Sequence, residues 1–217
     1  MNIVVFSGAG ISIDSGIPSM DDPSSIFMKY PRSITQKEAW KEDWKTFKKF
    51  WDELKAFILS PSIQPNEAHK DLVNLENLID GRLTIITTNI DDLHTKAGSK
   101  NVLHIHGIIT QNRQVEENKS FPNCVLFGEG KRFSYEANDA IKNANIFVSI
   151  GSALATNDLS TLVYAKDCGA RTVEINPNQT IYSDMFDEVI RLPASKGIKT
   201  LINSLIAIDC IGSKGKI

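Results

Sequence analysis

The chain has little cysteine chemistry to offer. Its three cysteines, Cys124, Cys168 and Cys210, stand far apart and form no C-x-x-C pair. That spacing supports neither a zinc ribbon nor a disulfide framework. Charge of one sign is missing too. With 24 basic and 26 acidic residues the net charge is −2, which argues against electrostatic nucleic-acid binding. No apolar run reaches membrane-span length. No signal-peptide pattern surrounds Met1-Asn2-Ile3. The expectation is a reduced, cytoplasmic setting with neither nucleic acid nor membrane as partner. Internal repeats and low-complexity segments are absent as well.

What is present reads as α/β. The 217 residues suit one domain with an appended lobe. Continuous apolar runs at 3–6, 84–87, 146–150 and 172–175 fit buried strands of a parallel sheet. Shorter candidates lie at 102–105 and 124–127. Helical stretches between them complete the signature of a doubly wound sheet. One helix is predicted over 36–59, with Trp40, Trp44, Phe47, Phe50, Trp51, Leu54, Phe57 and Ile58 as an apolar stripe, read as core. A second runs from Asn66, an N-cap preceded by Pro65, to about Ile79. Residues 108–123 are polar and aperiodic and read as a loop or small lobe. The tail over 212–217 reads as frayed.

The first strand empties into Ser7-Gly8-Ala9-Gly10-Ile11-Ser12. Small residues there let backbone N–H groups approach a phosphate, with a helix start behind them; a plain tight turn is the other reading. Polar residues also follow other strands: Thr87-Thr88-Asn89-Ile90-Asp91-Asp92-Leu93-His94, His104-Ile105-His106-Gly107, Gly151-Ser152-Ala153 and Asn176-Pro177-Asn178. Ligands bind at that edge of such a sheet. The third glycine of a dehydrogenase fingerprint is replaced by Ile13, which speaks against ordinary hydride transfer. His106, at a strand end beside Gly107, is the candidate general base, unless it is a histidine bonded within a turn. His104 should face the other way, and His69 and His94 read as structural.

In order and spacing, these pieces resemble the sirtuins over nearly the whole chain, most of all the compact bacterial ones. The matching segments are 8–12 with Ser15-Gly16-Ile17-Pro18, Gln64-Pro65-Asn66-Glu67-Ala68-His69, 88–94, 104–107, Val125-Leu126-Phe127-Gly128-Glu129, Gly151-Ser152 and Val173-Glu174-Ile175-Asn176. The resemblance implies a single Rossmann-like domain over 1–217, with small-lobe insertions near 20–62 and 108–123. It implies an NAD-dependent protein-lysine deacylase that releases nicotinamide and transfers the acyl group to ADP-ribose. By the same resemblance Ser12, Asn89 and Asp91 line the nicotinamide pocket and His106 is the base. Gly8, Ala9, Gly10, Gly151 and Ser152 cradle phosphates and ribose, Thr88 takes a ribose-binding place, and Asn176 sits near the adenosine ribose. Val125, Leu126, Phe127 and Gly128 offer a strand edge to an acyl-lysine peptide.

Departures open alternatives. Met20 and Asp21 stand where the family has Phe-Arg, and Thr88 replaces a glutamine. Arg32 or Lys29 is a possible stand-in for the lost cation. The four zinc cysteines are absent, so no metal is expected. Trp51 and Leu54 occupy the places of a Tyr-x-x-Arg pair that selects acidic acyl groups, which predicts a neutral acyl group. The same fold could instead serve an NAD glycohydrolase or a protein ADP-ribosyltransferase. A third reading is a non-catalytic sensor of NAD or ADP-ribose, favoured by Asp21.

Overall fold

A computed structural model describes residues 1–79, 82–154 and 158–213, with side chains to residue 207. Residues 214–217, the end of the tail expected to fray, lie outside the described residues. The strands are β1 (Ile3–Ser7), β2 (Leu83–Thr87), β3 (Val102–His104), β4 (Gly107–Glu116), β5 (Lys119–Cys124), β6 (Ile146–Ile150), β7 (Arg171–Ile175) and β8 (Glu188–Ile190). The helices are α1 (Ala39–Glu42), α2 (Trp44–Ile58), α3 (Glu67–Leu78), α4 (Leu93–Ala97), α5 (Ser134–Lys142), α6 (Leu159–Asp167) and α7 (Ala194–Ser213).

Six strands form one parallel sheet in the order β3-β2-β1-β6-β7-β8. This is the doubly wound Rossmann-like order, and its direction reverses between β1 and β6. Alternating side chains along β1 explain why both faces are covered. Ile3 and Val5 pack with Leu72 and Leu75 of α3 and Ile198 and Leu201 of α7. Val4 and Phe6 pack with Ile141 of α5 and Leu162 of α6. The sheet is therefore buried on both sides, as its unbroken apolar runs require.

A third core lies outside the sheet. Phe47, Phe50, Trp51, Leu54 and Ile58 of α2 meet Ile109 of β4 and Phe121 of β5. Phe47 and Phe121 make an edge-to-face pair with centroids 4.9 Å apart. The aromatic stripe is core, but it is the core of this lobe. The expected single helix over 36–59 is two, broken at Asp43, whose carboxylate caps α2 through the Thr46 N–H. Asn66 caps α3 in the same way, accepting from Ala68 N–H.

Two expectations need correction. Residues 108–123, read as a loop or small lobe, belong to an antiparallel hairpin, β4–β5, that packs on α2. Its register slips twice, which broke the two-residue alternation that would have marked it. The strand expected at 124–127 is not there: Cys124 ends β5, and Phe127 makes only an isolated bridge to Gln36. Gly107 starts the hairpin at φ +80°, where a Cβ would lie 2.1 Å from the Asn123 carbonyl oxygen. Only glycine fits.

Candidate active site

The loops after β1 and β6 meet at the switch point. Gly8 N–H donates to Ile150 O and Gly10 N–H to Gly151 O, at 3.1 and 2.8 Å. A Cβ on Gly10 would lie 2.6 Å from Gly151 Cα, and one on Gly151, at φ +59°, 2.5 Å from Ile11 N. The glycines let two backbones pack together. This corrects the expectation that Gly8 and Gly10 aim their own N–H groups at a phosphate. A 3₁₀ turn, Ala9–Ser15, also stands where a helix start was expected. The N–H groups of Ala9, Ser152 and Ala153 have no hydrogen bond among the described residues, so these are the donors the switch point leaves for an anion.

Beside this junction Ser12, Asn89 and Asp91 form one chain of hydrogen bonds. Ser12 Oγ donates to Asp91 Oδ2 at 2.9 Å. Asn89 Nδ2 donates to Ser12 Oγ at 3.1 Å and to Gly8 O at 3.2 Å. Asp91 Oδ1 accepts from Leu93 N–H. Burial pushes the Asp91 carboxyl above its ordinary range, against the pull of the Leu93 and Ser12 donors. With both amide hydrogens engaged, Asn89 keeps Oδ1 as a free acceptor for a ligand. Asn66 steadies the turn from beneath, donating to Ile11 O and Ser15 Oγ. Thr88, by contrast, donates both its N–H and its hydroxyl to Ser7 O.

His106 lies against this segment with Nδ1 3.2 Å from Thr88 O. A carbonyl only accepts, so Nδ1 carries the hydrogen and Nε2 is the basic nitrogen. Burial holds His106 below its ordinary value. His104 makes the matching bond to the next carbonyl, Asn89 O, at 3.4 Å and is nearly buried. His94 is buried, with Nε2 on Ser7 Oγ and its ring edge-on to His69 at 4.9 Å. Neither ring nitrogen of His69 has a partner among the described residues.

On the far side Asn176 Nδ2 donates to Ser152 O, tying the loops after β6 and β7 together. Beneath it sits a network that sequence reading missed. Glu174, 1% exposed, accepts from Thr180, Ser183 and Arg191, and Arg191 also reaches Asn178 O. The only hint was a glutamate in an otherwise apolar strand, which needs partners when buried.

The 125–128 segment is partly closed. Val125 N–H donates to His106 O, Leu126 N–H to Glu129 and Phe127 N–H to Thr35 O. Of the four expected to offer an edge, only Gly128 has an N–H without a partner among the described residues. The edge continues through Gly130 and Lys131, whose N–H groups are also unengaged. Glu129 is held by both oxygens on Arg113 of β4, an ion pair that ties the segment to the hairpin. Arg32 pairs with Asp21 at 3.2 Å, both side chains almost fully exposed. Trp51 and Leu54 are buried in the lobe core. No group of three or more His, Cys, Asp or Glu side chains suited to a metal exists among the described residues.

Comparison with known proteins shows the family. The Sir2 family model matches residues 8–121. An NAD-dependent protein deacylase of Vibrio parahaemolyticus is 31% identical over 232 residues, covering 96% of each chain. A solved complex of a Sir2 homologue with NAD superposes with a TM-score of 0.83 at 25% identity, over 95% of this chain and 90% of that one. A Sir2 structure with a deacetylated p53 peptide and 3′-O-acetyl ADP-ribose gives 0.82 at 25% identity, over 94% and 93%. With its switch-point glycines, its Ser12–Asn89–Asp91 chain and its oriented His106 in that frame, this chain belongs to the Sir2 family, the sirtuins.

Proposed function

We propose that the protein is an NAD-dependent protein-lysine deacylase acting on a neutral acyl group, with one domain over 1–217 carrying the whole reaction. The observation that carries this is the Thr88 O–His106 Nδ1 bond. It leaves Nε2 as the basic nitrogen of a ring held on the carbonyl that precedes Asn89.

NAD enters as a substrate. Its phosphates lie at the junction of Gly8, Ala9, Gly10, Gly151 and Ser152, with Ala9 and Ser152 N–H as donors. Asn176 faces the adenosine end and Thr88 borders the nicotinamide ribose. Asn89 Oδ1 accepts from the carboxamide. The acyl oxygen of the modified lysine attacks C1′ of the ribose, and the C1′–nicotinamide bond breaks. His106 Nε2 then takes a proton through the ribose hydroxyls, so that the 2′-oxygen attacks the imidate carbon. The lysine amine leaves with that proton, a solvent water adds to the same carbon as its bond to the C1′ oxygen breaks, and the acyl group stays on the 2′-oxygen of ADP-ribose. The peptide lies along the edge that starts at Gly128.

Nicotinamide release from NAD, with and without an acetyl-lysine peptide, tests this. Release only with peptide, together with O-acyl-ADP-ribose, is expected. Release without peptide would make the protein a glycohydrolase, and label transfer to protein an ADP-ribosyltransferase. Faster turnover of succinyl-lysine than of acetyl-lysine would refute the neutral acyl group.

A further inference from the structure

The edge that would seat the peptide ends in a charge that spans the cleft. Arg132 N–H donates to Ile105 O at 2.9 Å, which anchors Lys131 beside the turn bearing His106. From there Lys131 Nζ pairs with Asp158 Oδ1 at 2.6 Å. Asp158 lies on the opposite rim, as the N-cap residue of α6 after the Gly151–Ser152 loop. Both charges act on His106, with opposite signs. The pair is partly buried, at 31% and 14% side-chain exposure, so parting it without replacement is unfavourable.

The two partners differ in what remains to them afterwards. Asp158 stays at the N-terminal end of a nine-residue helix, where a negative charge is favoured. Lys131 has no second ion pair among the described residues. Its neighbours along the rim do not supply one. Glu129 is held by Arg113, Arg132 donates to the neutral Asn123, and Lys37 packs on Gly128. Along the 128–132 segment Lys131 and Arg132 are the cations, and the Glu129 carboxylate is already neutralised by Arg113.

We propose that Lys131 is a specificity-determining residue that leaves Asp158 for a carboxylate on the incoming peptide, so that the preferred substrates carry an acidic side chain next to the acyl-lysine. This rests on the deacylase reading of the cleft.

The test uses three acetyl-lysine peptides that differ only in the flanking residues, Glu, Gln or Lys. Binding is read by fluorescence anisotropy and turnover by NAD consumption. The Glu peptide is expected to bind about 5-fold more tightly than the Gln peptide, with the Lys peptide weakest and the differences shrinking in high salt. Lys131→Glu should reverse the order, while Asp158→Asn should keep it. Equal binding of the three peptides, or a Glu preference surviving in Lys131→Glu, overturns the proposal. So does a succinyl-lysine preference that Lys131→Glu abolishes, because the anion would then sit on the acyl group. Charge-ordered binding without NAD consumption would refute the deacylase reading alone. Peptide-dependent consumption blind to the flanks would refute this inference alone. Failure of every peptide to bind would sink both.

Discussion

A neutral imidazole has one donor and one acceptor nitrogen, and at His106 the Thr88 carbonyl decides which is which. The base must be unprotonated to work, and burial lowers its pKa below the ordinary 6.5. The acid limb of peptide-dependent kcat/KM is therefore expected to inflect below pH 6.5, and a limb above that value would remove His106 from the role. His106→Ala should lower deacylation by about 10²-fold or more while NAD still binds in calorimetry. Undiminished turnover in that variant would mean another base. Ser12 is a positioning residue for Asn89. Ser12→Ala removes the acceptor that orients the amide, so kcat should drop about 10-fold, the effect of losing one oriented hydrogen bond. The peptide KM should hold steady; a rise in it instead would contradict the assignment. Much of this site was legible in the sequence because its residues sit at strand ends, within short spans, in a fixed order. The tautomer, the Asn89–Ser12–Asp91 direction and the Glu174–Arg191 network were not. Each depends on a partner far away in the chain.

At the scale of elements, side-chain packing holds the hairpin β4–β5. Phe121 meets Phe47 and Trp51 of α2, and the Arg113 guanidinium lies 4.5 Å over the Phe121 ring. Phe121→Ala should cost about 3–5 kcal/mol, read as a lower urea midpoint. Activity toward peptide should fall with it, because Arg113 and Glu129 join the hairpin to the edge proposed to seat the peptide. Unchanged stability would show that this aromatic cluster is not what carries the lobe. The hairpin was hidden from sequence reading for a physical reason. One face is solvated, the register slips, and Pro122 sits within β5, so neither alternation nor an apolar run marks it. Its tip did leave a trace: Asn118, at φ +62°, is a residue type that tolerates the left-handed turn a tight hairpin needs.

For the whole molecule, the telling feature is where buried imidazoles lie. His69 and His94 pack between α3, α4 and the sheet, and desolvation lowers both pKa values, that of His69 to about 4. Unfolded, each returns to about 6.5. The unfolded chain then binds more protons, so stability is full above pH 6.5 and declines as the pH falls toward 4. By pH 5, His69 alone should account for a loss of about 2 kcal/mol, measurable as a lower urea midpoint than at pH 7.5. A flat profile between those values would mean that these rings are solvated. No helix among the described residues is long and apolar enough to cross a membrane.

Composition and spacing were enough to specify the sheet and its polar edge. Apolar runs such as 3–6 and 146–150 can only be covered on both faces, and local rules of backbone space and strand period place the glycines and polar ends that follow them. Which backbones those glycines admit, which carbonyl orients His106 and which charge pairs with Lys131 were settled by long-range folding. Those contacts join residues from distant parts of the chain, and hydrogen bonds and ion pairs act only over a few ångströms. No local pattern encodes them until folding brings the partners together.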